Sequence, residues 1–454
     1  MQTQKEGELD LKAICLFAAT GFFLERDTYF TNQKALQPAT EYQLDAAGRI
    51  RDARPYWSWF YEPRKITLQQ ATGEFADLFE KLIKDGVDIN TTILPLSGGL
   101  DSRTLAAGLV RTQKNVNSYT YSFTNGHDEA RYGHRIATAC GFPFHKWLVR
   151  PGYLWNSIDH LAALNRCQAE FTHPRQMAFI TEFANLGDLF MLGHWGDVLF
   201  DGMNVPENLP LEQQLEVVIK KIIKKGGLEL GKSLWNIWGI EGDFHSYLRE
   251  RVLELLKAID IPDSANARIR AFKSLYWAPR WTSANLSVFE SVRPIFLPYY
   301  HNDMCRFICT IPEVLLSGRK IQIEYLKLKF PPLAKIPWQQ HAPFNLYTYR
   351  LNTAPVNWPF RAFNKLNQVL GMKKIQRNWE LQFLGDDNFK SLRHQLSQKS
   401  FTEWIPGQVV HNFLDKFQSG NTVYYAHSVS MLLTLAMFHK NTSKFKNAEY
   451  QKAD

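Results

Sequence analysis

Long apolar runs are missing from this 454-residue chain. None approaches the roughly 18 to 20 residues that a bilayer-spanning helix requires, so no membrane-embedded segment is expected. Cysteine is scarce: the five residues Cys15, Cys140, Cys167, Cys305 and Cys309 show no CxxC spacing. That excludes a disulfide scaffold and a cysteine-rich metal site, and it fits a reducing compartment. Cys305 and Cys309 are spaced to share one face of a helix as an ordinary buried pair. The opening MQTQKEGELD is polar and acidic, unlike a secretory leader, so the expected location is the cytoplasm. Internal repeats, low-complexity tracts and arginine-rich runs are also absent. The formal charge is +9, from 53 basic and 44 acidic residues, and the basic residues thicken between Arg319 and Lys399. With no nucleic-acid motif beside it, this charge reads as a solvated face with some attraction for a polyanionic nucleotide.

What is present is a chain long enough for two or three domains and a sizeable core, with a hydrophobic content of 45% that is ordinary for a folded domain. Its most informative stretch is Thr91 to Gly108, TTILPLSGGLDSRTLAAG. Thr91 to Leu94 is a short β-branched and apolar run that predicts a buried strand. Ser97-Gly98-Gly99-Leu100-Asp101-Ser102 then turns into Thr104 to Ala107, good helix formers with no breaker before Gly108. Glycines let the backbone approach an anion closely, and the free N–H groups of a helix's first turn favour negative charge. Ser97 and Ser102 add hydroxyl donors. Asp101 suits such a site only with a divalent cation between its carboxylate and the phosphate oxygens, which predicts magnesium. The competing reading is an ordinary strand-to-helix turn with a serine cap.

A second glycine turn occurs in Asp188 to Gly202, DLFMLGHWGDVLFDG. Leu189 to Leu192 predicts a strand, Gly193 and Gly196 permit a tight turn, and Asp197 stands at its end. Two carboxylates on neighbouring loops suit a hard cation bridging phosphates; a simple turn cap is the alternative for Asp197.

The string Ser97 to Ser102 resembles the PP-loop of ATP pyrophosphatases, SGGxDS, enzymes that cut ATP between its α and β phosphates and leave an adenylated substrate. Gly21-Phe22-Phe23-Leu24, Arg26-Asp27-Thr28, Leu36-Gln37-Pro38, Tyr42, Gly48 and Tyr56-Trp57 are similar to the junction between the glutaminase and synthetase domains of asparagine synthetases. In the second stretch Gly193, Asp197, Leu199, Phe200 and Gly202 fit that family's SGEGxDE pattern with its following apolar pair and glycine. Leu192, Trp195 and Val198 depart from it, and His194 occupies the place of the catalytic glutamate. Glu290 and Arg293 to Leu297 resemble the family's ExRxPFLD, with Pro298 where the aspartate would be; these two charged residues are expected to form a structural ion pair. Ile336 to Phe344 resembles a loop carrying an arginine and a lysine that reaches the pyrophosphate. Gln339 and His341 replace them, and Lys335 lies nearby.

The resemblance implies ATP held by Leu96, Ser97, Gly98, Gly99, Asp101, Ser102 and Gly193, with Tyr121 and Ser122 contacting the adenine and Mg2+ on Asp101 and Asp197. It makes His194 and His341 the candidate catalytic residues, His194 as a base because imidazole titrates near neutrality, His341 as a stand-in for lysine. In the family reaction a substrate carboxylate attacks the α-phosphorus and an amine then displaces AMP. The expected partners are therefore a small-molecule carboxylate and ammonia or an amine. Too few residues precede the junction to hold a glutaminase, so glutamine hydrolysis is not expected, and a separate glutaminase is the candidate nitrogen source. A reading of another class is a nucleotide-binding but catalytically silent relative serving as a partner or regulatory subunit.

The fold expected is α/β, a parallel sheet flanked by helices of the adenine nucleotide alpha hydrolase-like type, with a largely helical C-terminal half and a short N-terminal β remnant. The corresponding division is 1–66 for the remnant and junction, 67–440 for the ATP-binding domain and 441–454 for a polar tail. Locally, Ile14 to Phe23, Thr28 to Phe30 and Glu41 to Leu44 read as strands. Thr67 with Gln70 reads as a capping box opening an amphipathic helix that buries Phe75, Leu78, Phe79 and Leu82 and ends near Gly86. Val116 to Phe123 and His145 to Val149 read as strands, with a helix between them capped by Asp128 and closed by Gly141. Leu211 to Ile259 reads as mostly helical and Pro355 to Phe389 as loop-rich, while His427 to His439 reads as a buried helix and the residues from Lys440 onward as a fraying tail.

Overall fold

The computed structural model describes residues 7–46, 48–87, 91–360, 362 and 374–446. Its first element departs from the strand expected at Ile14 to Phe23. Leu11–Thr20 is a helix, α1, capped by Asp10, whose carboxylate accepts from Ala13 N at 3.0 Å, and closed by Gly21 in the left-handed region. Every residue from Ala13 to Thr20 is buried. A run apolar on all sides carries neither helical nor strand periodicity, so the pattern alone does not separate a buried helix from a buried strand. α1 packs against the helix Gly227–Ile237. A Cβ on Gly227 would stand 2.2 Å from Ala19 O, and one on Gly231 would stand 2.9 Å from Cys15 O. Thus the glycines of the later helix let two backbones touch. The hairpin of β1 (Thr40–Leu44) and β2 (Ile50–Pro55) follows, antiparallel and largely exposed.

α2 (Leu68–Gly86) opens with the Thr67–Gln70 capping box and buries Phe75, Phe79 and Leu82, with Leu78 half-buried. The sheet comes next: β3 (Thr92–Pro95), β4 (Val116–Phe123), β5 (Phe144–Val149), β6 (Leu189–Met191) and β7 (Ile295–Phe296), all parallel, in the spatial order β5-β4-β3-β6-β7. The chain builds outward from β3 to β5, then returns to β3's other side with β6. The order therefore reverses between β3 and β6. In open parallel sheets that is where loops diverge and leave a crevice beyond the carboxyl ends of the strands.

Helices α3 (Leu100–Arg111) and α4 (Ala130–Cys140) flank the sheet. α3 runs through Gly108, where a Cβ would meet Ile83 Cδ1 at 2.3 Å, so this glycine admits α2 against α3 and does not end the helix. α4 closes at Gly141 as expected, but Asp128 does not cap it: the N-cap position is Glu129 without a side-chain bond, and Asp128 accepts from Lys146 Nζ at 3.0 Å. The expected Glu290–Arg293 ion pair is not formed either. Arg293 donates instead to the carbonyls of Gly187 at 2.8 Å and Ala184 at 2.5 Å, tying β7 to the approach of β6. Beyond β6 the described chain is dominated by helices. Asn302–Cys309 buries Cys305 and Cys309, and the final helix Thr422–Lys446 runs six residues past Lys440 into the expected tail. Residues 361, 363–373 and 447–454, which include part of the expected loop-rich stretch and of the tail, lie outside the described residues. Among the described residues no helix is long and apolar enough to cross a membrane.

Candidate active site

β3 is buried along its first three residues, as a central parallel strand must be, and it delivers the chain into the loop Leu96 to Gly99. Gly99 is the N-cap of α3 and the helix has no side-chain cap. The serines serve the loop itself: Ser102 Oγ accepts from Ser97 N at 3.1 Å and lies 3.0 Å from Ser97 Oγ, which accepts from Gly99 N at 3.2 Å. The first turn of α3 thus keeps its anion-attracting end uncapped. Gly98 is required sterically, since a Cβ there would lie 2.5 Å from Gln339 Cβ.

Arg103, fully buried, locks this loop. Its guanidinium donates to Ile336 O at 2.9 Å, Pro337 O at 2.8 Å, and both Leu333 O and Gly98 O at 3.3 Å. One side chain therefore fastens the glycine loop to the segment 333–337.

The turn after β6 closes on the same place. A Cβ on Gly193 would lie 3.0 Å from Asp101 Cβ, and one on Gly196 only 2.0 Å from Asp101 Oδ1. The two glycine turns, 95 residues apart by number, are in contact because their strands are neighbours across the reversal. Trp195 holds the left-handed conformation before the single turn Gly196–Leu199, with its ring stacked on Tyr300 at 4.1 Å.

Between these turns opens a cleft of about 490 Å³. Of the residues expected to bind nucleotide, metal or substrate, Leu96, Ser97, Asp101, Ser102, Tyr121, Gly193, His194 and Asp197 line it. Gly98 and Gly99 sit in the loop behind the wall. Ser122 does not line it and is buried with an unpartnered Oγ. His341 does not line the cleft: its ring lies 4.4 Å from that of Trp338 and its Nδ1 is 3.1 Å from Asn352 Nδ2. Nearer the glycine loop is Gln339, whose backbone N–H donates to Gly98 O at 3.2 Å.

Electrostatics distinguish the lining groups. Burial raises the Asp101 carboxyl above its usual range; Arg319 opposes this, and the Asp197 charge adds to it. Asp101 Oδ1 accepts from Arg319 and, at 3.1 Å, from Gln322. Burial also pushes His194 down to about 4 against the pull of Asp197, so this imidazole is neutral at pH 7 and a weak base. The expectation that it titrates near neutrality fails because its Nδ1 is sealed from water with no partner. Among the described residues no group of three or more His, Cys, Asp or Glu is gathered to hold a metal. Two converging carboxylates nevertheless fit magnesium, which takes one or two and completes its shell from phosphates and water.

Sequence reasoning missed three participants. Lys273 lines the cleft from a π-helical turn, Lys273–Trp277, and burial lowers its ammonium while Asp197 supports the charge. Arg319 and Trp277 are the others. No motif marks them, although π turns gather at functional sites.

Residues 91–288 match the asparagine synthase family model. The matched segment runs from the edge of β3 into the helix Ala278–Glu290 and so contains both glycine turns, the sheet as far as β6 and Lys273. Among solved structures, an NMN synthetase from Francisella tularensis is similar at 12% identity and a TM-score of 0.23, covering 46% of this chain and 93% of that one. That likeness is too remote to bear on chemistry. No curated protein matches the chain.

Proposed function

We propose that the chain is an ATP-dependent ligase that adenylates a small-molecule carboxylate, releasing pyrophosphate, and then forms an amide with ammonia or an amine, releasing AMP. The observation that carries this reading is the contact of the two glycine turns, which sets Asp101 and Asp197 on one cleft beside the uncapped start of α3. Ser97, Ser102 and the first-turn N–H groups of α3 receive the phosphates, and Tyr121 and Leu96 border the base. Lys273 supplies the positive charge that faces the leaving pyrophosphate, the part the family assigns to a lysine in the later loop. Magnesium, held by Asp101 and Asp197 when bound, neutralises phosphate charge. Arg319 then keeps Asp101 oriented from behind.

His194 enters as neutral imidazole. It accepts a hydrogen bond from the incoming amine, and bound phosphates raise its basicity because nearby negative charge favours imidazolium. Most of the acceleration in such a reaction comes from positioning and fixed charge. The test is acid-dependent release of AMP and pyrophosphate, screened by pyrophosphate exchange over a set of carboxylic acids; ADP and phosphate as products would refute the reading.

The occupied state of Asp101, already bonded to Arg319, and the weak basicity of His194 favour one alternative: a nucleotide-binding relative without turnover. It predicts calorimetric ATP binding, no AMP with any acid, and no effect of His194→Ala.

A further inference from the structure

Residues 325–379 hold nine lysines and arginines and no aspartate or glutamate. The whole chain carries 44 acidic residues in 454, a frequency at which these 55 positions would hold about five. In the fold, the same part of the chain leaves large apolar side chains in water. Leu328 is 64% exposed and Trp358 63%, and Tyr347, Leu351, Val356 and Phe360 are exposed with them. Single exposed apolar residues are ordinary on a protein surface, but a cluster of this size beside cations marks an interaction site.

The segment is pinned in this arrangement. The N–H of buried Leu346 donates to Ala334 O at 3.1 Å, and Asn345 Nδ2 donates to Lys335 O at 3.3 Å. Farther along, Asn357 is buried and donates from Nδ2 to Asn352 Oδ1 at 3.2 Å, while the Phe344 and Phe360 rings meet edge to face at 5.6 Å. These anchors hold Tyr347 to Phe360 beside the helix Pro331–Lys335 and leave Leu351, Val356 and Trp358 exposed.

Cations fringe the same surface. Lys327, on the helix Lys320–Lys329, pairs with Glu324 at 2.9 Å and stands 5.6 Å from the centre of the Tyr347 ring. Lys335 and Arg350 are exposed, and neither forms a salt bridge among the described residues. Aromatic and aliphatic groups flanked by free cations suit the edge of a bilayer, where apolar side chains enter the acyl boundary and basic ones meet anionic headgroups. A nucleic acid would use the charge and leave Leu328, Leu351 and Val356 in water. A second copy of the chain would set like charge against like.

We propose that this face, centred on Tyr347 to Phe360, docks the protein peripherally on an anionic lipid surface. None of its residues lines the cleft, so docking holds whatever reaction the cleft performs.

Flotation of the full chain with vesicles tests this, using phosphatidylcholine alone and phosphatidylcholine with about one-third phosphatidylserine. Binding to the anionic vesicles should be at least about tenfold tighter, and should weaken at least about fivefold as salt rises from about 0.1 to 0.5 M. Replacing two apolar groups together, Leu351→Ser with Trp358→Ser, should weaken it at least about tenfold, and Lys335→Gln with Arg350→Gln at least about threefold. All four side chains are exposed, so neither pair of changes should move the urea midpoint. Equal partition onto neutral and anionic vesicles, or undiminished binding by the serine variant, overturns the docking surface. A duplex oligonucleotide bound in place of lipid, or a concentration-dependent dimer, each lost in the serine variant, overturns it in favour of that occupant.

Discussion

Gly196→Ala is the sharpest perturbation the site offers. A methyl group at this position would lie 2.0 Å from Asp101 Oδ1 and 2.5 Å from its Cγ, where ordinary contact begins at 3.4 Å. The carboxylate must retreat by more than about 1 Å, and a misplacement of that size at a reacting centre costs about 100-fold in rate. That corresponds to about 2.7 kcal/mol of lost transition-state stabilisation. Asp101 cannot swing freely, because Arg319 and Gln322 hold it. Either those bonds break or the turn moves, at a stability cost of about 1–3 kcal/mol. The assay is magnesium-dependent pyrophosphate release, with urea unfolding run alongside. Gly73→Ala is the control: it lies within α2 with nothing near its Cβ position, and should change stability by no more than about 1 kcal/mol, in the favourable direction. A Gly196→Ala protein that turns over within threefold of the parent would refute the claim that the position of the Asp101 carboxylate matters.

Lys273→Met should weaken ATP binding by about 10-fold or more while leaving stability unchanged or slightly higher, since it removes a partly desolvated cation; calorimetry and urea midpoints check both halves. Arg103→Met should destabilise the chain by at least about 3 kcal/mol, because it strands carbonyls of Gly98, Leu333, Ile336 and Pro337 that the guanidinium now satisfies. His194 and His427 are held near 4 in the fold, by burial first, against an ordinary 6.5. The unfolded chain then binds more protons between those values, so stability should fall as pH drops from about 6.5 to 4, and His427→Gln should flatten part of that slope in urea midpoints taken at pH 7 and 5.

Legibility followed locality. The β3-loop-α3 unit, the turn after β6 and the capping box of α2 were all readable, because each depends on hydrogen bonds and glycine clearances within a few residues. α1 was not, since a segment buried on every side loses the alternation that separates helix from strand. Asp128 and Arg293 misled for a related reason: each had a plausible neighbour in sequence, and each found its partner across the fold, in Lys146 and in the carbonyls of Ala184 and Gly187.

The amino-acid order by itself determined that a strand, a helix start and two aspartates in glycine turns would exist, because short-range sterics and backbone hydrogen bonding leave those strings few other conformations. Tertiary structure alone decided that the sheet reverses between β3 and β6, which brings Gly196 onto Asp101. It also decided that Lys273 and not His341 faces the cleft, that burial lowers the His194 imidazole, and that Arg175, Lys224, Lys225 and Arg377 line a second cavity bordered by Trp281. These are consequences of desolvation and of contacts between residues far apart in the chain, and neither quantity exists until the chain is folded.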